Sequence, residues 1–146
     1  MTDAVDPDSL TADSPYTLPG FFDALADGRL LGAHCSCGAD LVPPRPACYA
    51  CGGRDLTIRE QPRTGEVVTY TAVHTPPPAY ADDAPYTVAV VELDSGARLT
   101  GRVDADYDDV AIGDAVSLRV REPTDRELDA ALSYEEEWPV HVFDPR

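Results

Sequence analysis

The chain has 146 residues, 43% of them hydrophobic and 26% charged, with 27 acidic residues against 11 basic ones and a formal net charge of −16. So acidic a surface repels nucleic-acid phosphates, whose binding depends on clustered cations that release counterions. No run approaches the roughly 18 consecutive apolar residues of a membrane helix, and the acidic start Met1-Thr2-Asp3-Ala4-Val5-Asp6 lacks the basic and apolar regions of a secretion signal, so a cytoplasmic protein is expected.

In chain order, residues 1–17 are expected to be a disordered acidic tail rich in Asp, Pro, Ser and Thr. Residues 18–31 hold a short predicted helix, with Pro19 near its start and Gly28 just past its end. Its Phe21, Phe22 and Leu25 form an apolar stripe. That stripe either packs on the chain's own domain or docks on a partner; so short a helix rarely carries two Phe for itself. Residues 32–60 carry all the cysteines. Residues 61–146 change to a period of two. Val67–Val73 reads as a strand rich in β-branched and aromatic residues, stopped by Pro76-Pro77-Pro78, since proline cannot donate to a ladder. Tyr86–Leu93 and Arg98–Val103 read as a hairpin across Asp94-Ser95-Gly96. Val116–Val120 is a fourth strand, residues 123–137 an acidic, helix-tolerant connection, and Val140–Phe143 a short fifth strand. The expectation is a mostly β protein: a short N-terminal helix, a rubredoxin-like zinc ribbon, then a five-stranded OB-fold barrel. An SH3-like barrel is the rival that strand count alone leaves open.

The cysteines read His34-Cys35-Ser36-Cys37-Gly38, then, after ten residues from Cys37, Cys48-Tyr49-Ala50-Cys51-Gly52-Gly53. Two close pairs separated by a loop match a structural zinc site, in which four ligands close a tetrahedron. Disulfides or uncombined thiols, and rubredoxin-like iron, are the other readings; the first is disfavoured in a cytosolic setting. The second pair is a C-x-x-C, but the first is a C-x-C. His34 stands where C-x-x-C spacing would place a ligand, so the site is Cys35, Cys37, Cys48 and Cys51, with His34 as the alternative to Cys35. A closed set of four leaves no position open for catalysis.

No nucleophile elbow, phosphate loop or dinucleotide fingerprint is present, so no catalytic residue is assigned and no enzymatic activity is expected. His74 ends the first barrel strand, beside a proline-stiffened loop that carries Tyr80, placed where OB folds bind ligands. Either His74 contacts a ligand at the barrel mouth or it is bonded to the loop. Pro43-Pro44-Arg45-Pro46 holds a guanidinium on a stiff arm, as an anchor for a phosphate or carboxylate or simply facing solvent. His141 is expected to be structural.

The order of Phe21-Phe22-Asp23-Ala24-Leu25, Gly28-Arg29-Leu30, the cysteine segment around Pro43-Pro44-Arg45-Pro46, Gly65-Glu66-Val67-Val68-Thr69-Tyr70-Thr71, His74, Pro85-Tyr86, Val91-Glu92-Leu93 and Ile112-Gly113-Asp114-Ala115-Val116 resembles the zinc-ribbon/OB-fold proteins associated with acyl-CoA metabolism. The resemblance covers roughly residues 18–122. It implies a non-catalytic accessory subunit of a thiolase-type complex acting on acetoacetyl-CoA or 3-ketoacyl-CoA, in some members bridging a thiolase to hydroxymethylglutaryl-CoA synthase, with some relatives joining hydratases or aldolases. It implies structural zinc, and CoA or acyl-CoA shared with the partner. Arg45, Tyr70, His74, Tyr80 and Tyr86 become candidate CoA- or partner-binding residues, with Phe21, Phe22 and Leu25 as partner-docking residues. A free-standing CoA or acyl-CoA carrier is the second reading, and a nucleic-acid-binding OB protein, disfavoured by the charge, the third. All eleven basic residues are Arg; with the acidity, this bias points to a halophilic, haloarchaeal surface that carboxylates keep hydrated.

Overall fold

The computed structural model describes residues 10–11, 14–76, 78–125, 127 and 138–146. The expected tail up to residue 9 lies outside these. Its last part is ordered: Thr17 donates its amide to the Ser14 carbonyl at 3.0 Å, and Tyr16 packs on the cysteine segment.

Thr17 caps the helix α1 (Leu18–Ala26), its Oγ1 accepting from the Gly20 amide at 3.3 Å. Pro19 sits in the first turn, where a missing N–H costs nothing. The helix stops in a Schellman pair, Gly28 N–H to the Leu25 carbonyl and Arg29 N–H to the Ala24 carbonyl, both at 2.9 Å. The apolar stripe turns inward. Phe21 and Leu25, 2% and 0% exposed, join the same core as the barrel strands, and Phe22 stacks on Trp138 with ring centroids 4.5 Å apart. Of the two readings of the stripe, the burial of Phe21 and Leu25 against the barrel favours packing on the chain's own domain. The large apolar residue that the helix leaves exposed is Leu18, at 48%.

The cysteine segment forms a three-stranded antiparallel sheet that the sequence reading did not anticipate, from β1 (Leu31–Cys35), β2 (Asp40–Leu41) and β3 (Leu56–Glu60), ordered β2-β1-β3. Its small core is Ala33, Cys35, Leu41, Cys48 and Leu56.

The second unit is a closed barrel of β4 (Thr64–Val73), β5 (Tyr86–Leu93), β6 (Arg98–Val103), β7 (Ala115–Arg121) and β8 (Val140–Pro145), ordered β4-β5-β6-β8-β7. Strand β4 pairs with β7 at its start and with β5 along its length, and a bulge between Val67 and Thr69 lets one strand serve both neighbours. The last strand runs parallel to β6 and antiparallel to β7. This crossover closure is that of an OB barrel, and it removes the SH3-like rival. On β5 the alternating Thr87, Ala89, Val91 and Leu93 face inward, and Phe143 of β8, fully buried, fills the centre with Val67, Val116 and Leu118. No described helix is long and apolar enough to cross a membrane.

Gly65 marks where the barrel is tightest. A Cβ there would stand 2.4 Å from the Glu92 carbonyl oxygen and 2.9 Å from the Leu93 Cα, both backbone atoms of the paired strand. Gly65→Ala is expected to cost on the order of 1–3 kcal/mol by overpacking, read as a lower thermal midpoint at unchanged metal content.

Candidate metal centre and the barrel mouth

The two cysteine knuckles are built alike but differ by one residue. In the second, the Gly52 amide closes on the Cys48 carbonyl at 2.9 Å, four residues back; in the first, the Gly38 amide closes on the Cys35 carbonyl at 2.9 Å, three residues back. Both glycines take positive φ, +72° and +101°, a conformation that side-chain-bearing residues rarely adopt. The first knuckle is a turn contracted by one residue, which is the physical basis of the irregular C-x-C spacing.

The contraction still brings Cys35 to the centre. The Sγ atoms of Cys35, Cys37, Cys48 and Cys51 all lie within 4.8 Å of one another, with Cys35–Cys51 at 3.6 Å and Cys37–Cys48 at 3.7 Å. A disulfide requires about 2.05 Å. A tetrahedral zinc thiolate site with bonds of about 2.3 Å places its sulfurs about 3.8 Å apart, so the four residues fit the ion. Backbone amides support the sulfurs from behind, Ala50 N–H to Cys48 at 3.4 Å and Gly53 N–H to Cys51 at 3.3 Å. The amides of Cys51 and Ala50 hold the Cys48 thiol down at about 7 against the opposing effect of burial. At Cys37 the Ala39 amide lowers the pKa, but the three neighbouring sulfurs outweigh it and push the thiol up to about 12. Four crowded thiols cannot all ionise together unless a cation shares their charge.

His34 is turned away from this cluster. Its Nδ1 meets Asp40 Oδ1 at 3.2 Å. The same oxygen accepts from Gln61 Nε2 at 3.3 Å, and Gln61 Oε1 accepts from Ser95 Oγ at 2.6 Å. The chain His34–Asp40–Gln61–Ser95 thus ties the ribbon to the β5–β6 turn, with Gln61 only 8% exposed. Sequence reasoning missed Gln61, because a lone glutamine between strands carries no local signal of burial. His34→Ala is expected to leave one metal ion per chain by elemental analysis while loosening the join between ribbon and barrel.

At the other end of β5 lies a cleft of about 600 Å³ lined by His74, Tyr86, Thr87, Asp106, Tyr107 and Asp108 among others. Tyr70 reaches it through Tyr107, their centroids 5.0 Å apart. Of the sequence candidates, then, Tyr70, His74 and Tyr86 gather at one mouth. Tyr80 stands beside Tyr86 at 6.0 Å, but its hydroxyl donates to Glu127 Oε2 at 2.7 Å, so it anchors its own loop instead of presenting a polar group to a ligand. Arg45 lies elsewhere, in a cleft of about 470 Å³ with Tyr49, Glu92 and Arg98. Tyr86 and Glu92 are six residues apart on β5, about 20 Å at the usual strand rise, so Arg45 and the mouth are separate places.

Glu127, missed in the sequence reading, is the hinge of the loop anchor. It accepts from Arg121 Nη1 at 2.6 Å and from the Thr124 amide at 2.9 Å, while its own amide donates to Thr124 Oγ1 at 3.3 Å. The last two bonds are a capping box, and Thr124-x-x-Glu127 is its sequence signal. Burial pushes the carboxyl up, but bonds from Arg121, the Thr124 amide and Tyr80 outweigh this and hold it at about 2. An unfolded glutamate titrates near about 4.3, so the folded state gains stability from this carboxylate above that pH and loses it as pH falls towards 2. Glu127→Gln is expected to flatten that acid limb, seen as a smaller drop in the urea midpoint between neutral and acid pH than wild type shows.

Comparison with known proteins follows the same division. Residues 22–57 match the model of the ChsH2 rubredoxin-like zinc ribbon domain, and residues 59–121 that of the ChsH2 C-terminal OB-fold domain. A DUF35 domain-containing scaffold protein of Methanothermobacter thermautotrophicus is 36% identical over 109 residues, covering 73% of this chain and 82% of the relative. A probable enoyl-CoA hydratase alpha subunit of Thermomonospora curvata is 40% identical over 101 residues, 67% of this chain but 31% of that longer protein. A solved structure described as an Ltp2-ChsH2(DUF35) aldolase superposes with a TM-score of 0.66 at 32% identity, covering 86% of this chain and 91% of that one.

Proposed function

Because the chain belongs to the DUF35 family of zinc-ribbon and OB-fold proteins, we propose that it is a non-catalytic scaffold subunit that docks on an acyl-CoA-processing enzyme. The observation that carries this reading is the four-cysteine cluster. Four thiolates saturate a tetrahedral zinc ion and leave no position for water or substrate, so the metal's chemistry is to hold the ribbon. Around that fixed ribbon, α1, the barrel and the Arg45 arm form a shaped surface. The relatives support an enzyme partner: one is named a scaffold protein, another is described as an Ltp2-ChsH2(DUF35) aldolase, and a third is named a probable enoyl-CoA hydratase alpha subunit.

The finer reading is a thiolase-type partner acting on acetoacetyl-CoA or 3-ketoacyl-CoA, with hydroxymethylglutaryl-CoA synthase as a second enzyme the subunit bridges. In it the chain helps to complete the partner's acyl-CoA site. The acidic, Lys-free surface suits a cell interior of high salt. Co-purification from native extract in molar salt, with the partner identified by mass, tests the reading. A stoichiometric acyl-CoA enzyme is the expected companion. Recovery of the chain alone, with such an enzyme eluting separately and fully active, would overturn it.

A further inference from the structure

The barrel-mouth cleft is built for a positive group, and we propose that it receives the guanidinium of an arginine side chain presented by the partner enzyme; this deepens the scaffold reading and rests on it. Asp106 and Asp108 line the cleft, both exposed, and neither carboxylate pairs with a cation among the described residues. No arginine lines it. The phosphates of CoA would therefore meet two carboxylates there, whereas a cation meets complementary charge.

The floor of the cleft supplies a second, independent sign. Thr87 lies on the inward face of β5 and is 1% exposed, yet its hydroxyl oxygen has no hydrogen-bond partner. Such a buried group is costly unless something completes it. A guanidinium has five N–H donors and no acceptor, so it suits a lining whose polar groups are oxygen acceptors. The wall supplies a ring: Tyr107 is 47% exposed and is steadied by Tyr70 at 5.0 Å and 48°. A planar cation stacks on such a face, which an ammonium does less well. The same scheme is already used next door. The Arg102 guanidinium carbon sits 4.5 Å from the Tyr86 ring centroid while its Nη1 donates to Asp83 at 3.1 Å.

The test is an NMR titration of the zinc-loaded full chain with N-acetyl-arginine-N-methylamide, in enough salt to screen the diffuse acidity of the surface. Identically blocked citrulline, neutral but close in shape, is the control. Arginine is expected to shift the amides of Thr87 and residues 106–108 saturably, and citrulline is not. Asp106→Asn with Asp108→Asn, both on exposed positions, is expected to weaken binding about tenfold or more, and Tyr107→Ala to weaken it further without losing spectral dispersion. Equal shifts from citrulline, or arginine shifts spread over the acidic surface and indifferent to the double variant, would overturn the proposal. Because the titration uses the isolated chain, it can fail while the chain still co-purifies with an enzyme, and co-purification can fail while the arginine still binds.

Discussion

Replacing Cys35 by serine is expected to empty the ribbon of metal and unfold it, while the barrel keeps its strands. The ribbon has little else to stand on: its core is Ala33, Cys35, Leu41, Cys48 and Leu56, so two of its five buried residues are themselves cysteines of the cluster. Structural zinc contributes about 10–16 kcal/mol of apparent binding free energy in small zinc domains, and there that energy is folding energy. A serine hydroxyl is a poor substitute for a thiolate. The barrel's buried core of Phe143, Val91, Leu93 and Val116 forms a separate cluster that contains no cysteine, so it should survive. Metal content should fall from one ion per chain to a small fraction, and amide exchange should rise across β1 and β3 but not across β5 and β6. Full metal retention in Cys35→Ser, with loss in His34→Ala, would instead make His34 the ligand.

Leu25→Ala is the other large expected effect. Leu25 is 0% exposed and packs in the barrel core beside Phe21, Leu30 and Val42, so truncation leaves a cavity costing about 2–5 kcal/mol. At roughly 2–4 °C per kcal/mol for a chain of about this size, the thermal midpoint should fall by a margin easily read by circular dichroism. Leu18, 48% exposed on the same helix, should tolerate alanine within about 0.5 kcal/mol. The pair of variants separates a helix that belongs to the fold from one held in reserve for docking. If Leu25→Ala left stability intact and only weakened partner binding, the helix would be a docking element after all.

The contrast between these residues shows what a sequence makes legible. The bounds of the hairpin β5–β6 could be read, because Tyr86–Leu93 is rich in β-branched and apolar residues and Asp94-Ser95-Gly96 announces the turn; which face turns inward could not, since Val88 and Val90 are as apolar as the buried Ala89 and Val91. The cysteine cluster was legible because its spacing is local. The strands of the ribbon were not: β2 has two residues, and knuckle geometry sets its register, not side-chain period. Nor could the facing of Phe21 and Leu25 be read, since an apolar stripe looks alike whether it meets its own barrel or another protein. Tyr80 and His34 carry groups suited to a ligand or a metal, yet those groups meet Glu127 and Asp40, 47 and 6 residues away in the chain. For Glu127 the sequence does carry a signal, the capping-box pattern Thr124-x-x-Glu127.

As a proposed scaffold, this chain would complete an acyl-CoA-processing enzyme without performing chemistry itself. Reconstitution in molar salt decides this, with acyl-CoA turnover measured for the co-purified enzyme alone, with the zinc-loaded chain, and with Cys35→Ser. Low turnover is expected of the enzyme alone, restoration by the zinc-loaded chain at a fixed stoichiometry, no restoration by Cys35→Ser, and no turnover by the chain without enzyme. Full turnover by the enzyme alone, or turnover by the isolated chain, would contradict it.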